Sequence, residues 1–119
     1  MDGNKDINYH KKTLDTGVRI AFDRCGLQYI LGMPSDEDRV KIFAELVNEG
    51  YGNRLHLSHD FICHMLGRPI PENPKALELL KRYYIGNIFD NIIPELKQAG
   101  LTPTQITQIM KQNPKDIFS

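Results

Sequence analysis

The chain has 119 residues, enough for one small domain. Its 15 Lys and Arg balance 15 Asp and Glu, and no long basic run marks a surface for nucleic acid or an acidic membrane. Hydrophobic residues make up 40%, which suits a folded chain, and the apolar runs are far too short for a transmembrane helix.

Asp6 to Thr16 reads as a helix, with Ile7, His10 and Leu14 on one face and Gly17 as the stop. Val18 to Phe22 is rich in branched and aromatic residues and reads as a strand that ends in Asp23-Arg24-Cys25-Gly26. Leu27 to Pro34 is a loop. Ser35 is a good N-cap, and Asp36, Glu37 and Asp38 place negative charge at the positive end of the helix dipole. Val40, Phe43, Ala44 and Val47 form the apolar stripe of that helix, which ends at Gly50.

The most informative stretch comes next. Tyr51-Gly52-Asn53 is a turn signal. Leu55 to Ser58 alternates as a short strand, and His59-Asp60 closes it where a long loop, Phe61 to Pro74, begins. Strand, helix, strand implies two parallel neighbours joined by a right-handed crossover. Asp23-Arg24 and His59-Asp60 are then expected at the same sheet edge, where α/β proteins gather their chemistry.

Pro69, Pro71 and Pro74 stiffen the loop. Lys75 to Arg82 reads as a short helix and Ile85 to Ala99 as a longer one, with Ile88, Ile92 and Leu96 in register and Pro94 as a kink or new start. Thr102-Pro103-Thr104-Gln105 is a capping box for a final helix ending near Gln112, with Ile106, Ile109 and Met110 inward. Asn113-Pro114 is expected to break it, and Ile117-Phe118 to tuck back onto the body. The polar N-terminus lacks an apolar signal core, and Cys25 and Cys63 have no metal or redox spacing. The expectation is two reduced thiols in a cytoplasmic protein.

Two parallel strands alone leave open edges and need cover on both faces. The pattern therefore points to a piece of something larger, or to a chain that assembles.

At this point the residues carry a resemblance. Gly17-Val18-Arg19-Ile20-Ala21-Phe22-Asp23-Arg24-Cys25-Gly26-Leu27, the acid-capped helix, Glu49-Gly50-Tyr51-Gly52-Asn53-Arg54-Leu55-His56-Leu57-Ser58-His59-Asp60, Ile93 to Thr102 and the terminal Gln112-Asn113-Pro114-Lys115-Asp116-Ile117-Phe118 are similar to the C-terminal part of the phosphotriesterase family. More narrowly they resemble its lactonase branch, within the amidohydrolase superfamily. The likeness runs over nearly the whole chain.

The resemblance implies an α/β fold, with residues 1–119 forming one partial domain of a (β/α)8 TIM barrel: Val18 to Phe22 as strand seven and Leu55 to Ser58 as strand eight. It implies a hydrolase of lactone, ester or phosphotriester bonds with two divalent metals, zinc or Mn, Co or Fe. Asp60 would be both a metal ligand and the group that handles the proton of a metal-bridging hydroxide. Arg24 matches an Asp-Arg-x-Gly motif at the substrate pocket, and the loop carrying Phe61 and Met65 would shape the leaving-group side. The family's other ligands, on strands one, four, five and six, are not in this chain, so metal is expected only in the complete barrel. Asn4-Lys5-Asp6 resembles only the segment just after strand six. Many lactonases carry a tryptophan in the loop after strand eight; this chain has none.

On pattern alone Asp60 reads as an ordinary loop-capping residue, and only the resemblance gives it the ligand role. Arg24 is either a pocket residue or half of an ion pair with Asp23 or a loop acid. His56 and His59 read as structural, His64 as a solvated loop residue, and both cysteines as buried and inert rather than as pocket-wall thiols. Two readings of function remain. In the first, the chain is part of a metal-dependent hydrolase acting on a small molecule, self-associating or joining the rest of its barrel. In the second, it is an inactive fragment that only associates.

Overall fold

Two short strands lie at the centre of the computed structural model, which describes residues 3–29, 32–63, 66–67 and 73–119. β1 (Ile20–Phe22) and β2 (Leu55–Leu57) pair in parallel, with Ile20 opposite Leu55 and Phe22 opposite Leu57. Val18 and Arg19, expected in the first strand, fall outside it, and Val18 is 45% exposed. The register explains this. Their partners would be Asn53 and Arg54, which are wound into a 3₁₀ turn, Gly52–Arg54, and offer no extended backbone. Beyond the strands the pairing continues: the Ser58 N–H donates to Phe22 O at 2.9 Å and the Cys25 N–H to Ser58 O at 3.2 Å.

The helices follow from local signals. Asp6 caps α1 (Ile7–Asp15) by accepting from the Asn8 N–H at 2.9 Å. Ser35 and Asp38 form a full capping box on α2 (Asp36–Leu46), and Gly50, at φ 97°, ends its helical extension. Asn73 caps α3 (Pro74–Leu79). Thr102 and Gln105 form a second capping box on α5 (Pro103–Thr107).

Pro94 meets the expectation of a new start, whereas Pro114 departs from the expected break. Pro94 sits near the start of α4 (Ile93–Gln98), which follows directly on a π-turn over Ile88–Ile92. Pro114 sits likewise in α6 (Asn113–Phe118), continuous with a π-turn over Gln108–Gln112. In each, the residue before the proline bonds five residues back, Ile93 to Ile88 O and Asn113 to Gln108 O. The wider turn opens space for the pyrrolidine ring, which would clash with the i−4 carbonyl of a regular helix. Asn113-Pro114 therefore does not break the final helix. Ile117 and Phe118 do not fold back either; Phe118 is 88% exposed.

The core lies on one face of the sheet. Ile20, Phe22 and Leu55 pack with Leu14, the predicted α2 stripe of Val40, Phe43, Ala44 and Val47, and Ile88, Ile92, Leu96 and Ile109. The Phe22 and Phe43 rings meet edge to face at 5.2 Å, and His10 lies 5.5 Å from Phe22. Burying each large side chain contributes about 1.5–3 kcal/mol. By strand alternation Ala21 and His56, paired in the register, lie on the opposite face; both are only half-buried. Parallel strands are normally covered on both sides. The radius of gyration, 14.8 Å, exceeds the roughly 13.5 Å expected for a compact chain of this length. No helix among the described residues is long and apolar enough to cross a membrane.

Candidate functional site

Parallel pairing brings the two C-terminal strand tips together. Asp23 and Arg24 follow β1; Ser58, His59 and Asp60 follow β2. The Phe22–Ser58 and Ser58–Cys25 backbone bonds tie the two tips side by side. Arg24 is half-buried, and Cys25 is buried with its thiol 3.7 Å from Phe22 O. Asp60 is exposed and adopts a left-handed backbone, φ 48°, a conformation that Asp tolerates better than most residues.

The turn holding Asp60 is tied down from above. The Tyr83 hydroxyl donates to Asp60 O and accepts from the Ile62 N–H at 2.8 Å. The Tyr83 ring lies 5.3 Å from that of Phe61, which in turn meets His59 edge to face at 6.2 Å. His59 Nδ1 accepts from the Phe61 N–H at 3.2 Å, so this histidine serves the turn itself. Met65 and His64, together with Pro69 and Pro71, lie outside the described residues.

Behind the strand tips sits a buried charge network. Asp36, fully buried, accepts from the Gly26 N–H at 2.9 Å and from Arg39 Nη1 at 3.0 Å, and Arg82 Nε lies 3.1 Å from its other oxygen. Arg39 also donates to Leu27 O at 2.9 Å. Arg82 makes a two-pronged contact with Glu95 at 2.9 and 3.0 Å. Burial works against the Arg82 charge, but the Glu95 hydrogen bond and the Asp36 carboxylate outweigh it and raise its pKa. Asp36 was expected only to complement the helix dipole. The signal of its real position was its phase: Asp36 and Arg39 fall on the same helical face as Val40, Phe43 and Val47.

A dinuclear metal centre can be tested against these residues. Among those described, no three His, Cys, Asp or Glu side chains come together. Asp60 supplies one carboxylate, and a zinc site usually takes at least three protein ligands. The described part of the chain does not by itself furnish such a centre. Both cysteines are thiols; Cys25 is buried as expected, whereas Cys63 is exposed on the loop after β2. A groove of about 490 Å³ runs beside α2, lined by Glu37, Val40, Lys41, Ala44, Glu45 and Ala99 among others, and shares no residue with Arg24, Asp60 and Phe61.

Residues 1–118 match the phosphotriesterase family. The chain is 39% identical over 116 residues to an aryldialkylphosphatase of Saccharolobus solfataricus, covering 96% of this chain and 35% of that protein. It is 30% identical to an N-acetyltaurine hydrolase of Dictyostelium discoideum, covering 96% of this chain and 30% of the other. The organophosphorus hydrolase of Deinococcus radiodurans superposes with a TM-score of 0.94 at 45% identity, over all of this chain and 36% of that one. The chain thus spans about a third of the length of these relatives.

Proposed function

The chain belongs to the phosphotriesterase family of hydrolases, and we propose that it is the C-terminal barrel part, a single partial domain over residues 1–119, of a metal-dependent hydrolase that opens lactone or ester bonds or cleaves phosphotriesters. In this reading β1 and β2 are barrel strands seven and eight. The uncovered face carrying Ala21 and His56 is turned to the barrel interior, and the open strand edges receive strands that the chain does not contain. Asp60 supplies one carboxylate to a centre of two divalent ions, zinc or Mn, Co or Fe, whose other ligands come from those strands. Arg24 borders the substrate, and Phe61 and Met65 shape the leaving-group side. Alone, the chain binds no metal stably.

The observation that carries this reading is the joining of the Arg24 and Asp60 turns at one sheet edge, within a match that runs the length of the chain. A cytoplasmic setting, where thiols stay reduced, goes with this reading. Identity helps choose the substrate class. It is 45% to the organophosphorus hydrolase and to an enzyme engineered from a weak promiscuous lactonase template, against 29–35% to the N-acetyltaurine hydrolases. The alternative is a fragment inactive by itself that only self-associates or binds a complementary chain.

Mixing tests both. The chain is combined with the complementary two thirds of the Deinococcus radiodurans enzyme, and lactone opening and aryl dialkyl phosphate cleavage are followed. Activity that appears only on mixing and is lost in Asp60→Ala supports the hydrolase. A stable mixed complex with no activity on either substrate supports the inactive alternative.

A further inference from the structure

We infer that Tyr83 is a positioning residue for Asp60, holding the turn on which that carboxylate is mounted; the functional weight of this rests on the reading of Asp60 given above.

Four observations carry it. One hydroxyl bridges the turn from both sides, donating to Asp60 O and accepting from the Ile62 N–H. Its ring packs on Phe61, the residue between them. Asp60 needs such restraint, because its left-handed backbone is a conformation that an L residue leaves readily unless its surroundings fix it. Tyr83 is itself held: a Cβ on Gly26 would lie 2.4 Å from Arg82 O and 3.0 Å from the Tyr83 Cα, so this backbone rests directly on the turn that follows Arg24. The adjoining Arg82 is anchored to Asp36 and Glu95. The contact thus runs from the Arg24 turn through the Arg82-Tyr83 backbone to the Asp60 turn. It links the two halves of the candidate site without Tyr83 meeting a substrate.

The test is amide hydrogen exchange by NMR on the 119-residue chain, paired with kinetics of the mixed complex. In the wild type the Ile62 amide is expected to be protected, and in Tyr83→Phe to exchange roughly tenfold faster, while Ser58 in the strand pairing and the melting midpoint stay unchanged. Tyr84→Phe is the control, since the Tyr84 hydroxyl serves Asp90 and Asn91 instead and should leave Ile62 alone. An Ile62 amide that exchanges at the unprotected rate in the wild type overturns the proposal, whether or not the variant folds. In the mixed complex, Tyr83→Phe should lower kcat about tenfold with KM within twofold. Faster exchange with unchanged kcat would mean that the tie exists but does not position Asp60, and would also overturn it. If Asp60→Asn leaves the rate of the mixed complex intact, the reading of Asp60 fails, while the Ile62 exchange still decides whether Tyr83 holds the turn.

Discussion

Gly26 packs so closely against Arg82 that a side chain there would meet the Arg82 carbonyl oxygen at 2.4 Å. Its φ of 100° is also a conformation that L residues avoid. The obstacle is backbone, which cannot swing aside as a flexible side chain can. Gly26→Ala should therefore destabilise the chain by about 2–5 kcal/mol, combining backbone strain and overpacking. Urea unfolding would measure it.

Asp36 sits between two guanidinium groups with no exposure to solvent. Removing it takes away the carboxylate that the buried Arg39 guanidinium meets at 3.0 Å. Asp36→Ala is expected to cost about 3–5 kcal/mol, the scale for breaking one side of a buried ion pair. Glu95→Gln, at the half-buried end of the network, should cost far less. Comparing the two urea midpoints checks the order.

Asn113 is fully buried and donates to both Gly52 O and Leu55 O at 2.7 Å, while accepting from Gln108 at 2.7 Å. It fastens the terminal helix to the start of β2. Asn113→Ala strands these carbonyls and should cost roughly 1–3 kcal/mol. Asp at this position keeps the acceptor but loses the donors, so it should not restore stability. Thermal unfolding of both variants distinguishes loss of shape from loss of hydrogen bonding.

These three residues also show where the sequence was legible. The βαβ core, its parallel sense, the Ser35 N-cap, the Thr102–Gln105 capping box and the α2 stripe followed from period, crossover length and capping chemistry, while the reciprocal Asp38 half of the Ser35 box did not. These are local signals that the tertiary structure reinforces. The shared edge of Arg24 and Asp60 followed from parallel pairing alone. The part not legible depended on contacts distant in sequence. Asp36 reaches Arg82, Asn113 reaches Leu55, and Tyr83 reaches Asp60; no local pattern announces such pairs. The Asn113-Pro114 break failed for a different reason. The rule that proline stops a helix assumes regular four-residue bonding, and a five-residue turn removes the clash.

His56 offers a pH test. Burial is the main cause depressing its pKa below the ordinary 6.5, with the nearby Arg19 charge adding to it. The unfolded chain therefore binds a proton at His56 more readily than the folded one. The His56 contribution is fully present above pH 6.5 and is lost as pH falls from there through the lower folded value. His56→Gln should flatten the fall in stability as pH drops below 6.5, measured as urea midpoints against pH. An unchanged slope would mean that other groups set the acid dependence.

The central claim is that Asp60 supplies one donor to a metal centre that the rest of a barrel completes. The most direct measurement is the metal content of the purified complex between this chain and the complementary part of the Deinococcus radiodurans enzyme. The account predicts two metal ions per complex, none retained by this chain alone, and a clear loss of bound metal in Asp60→Ala with the complex still assembled. Full metal occupancy in the Asp60→Ala complex would contradict it.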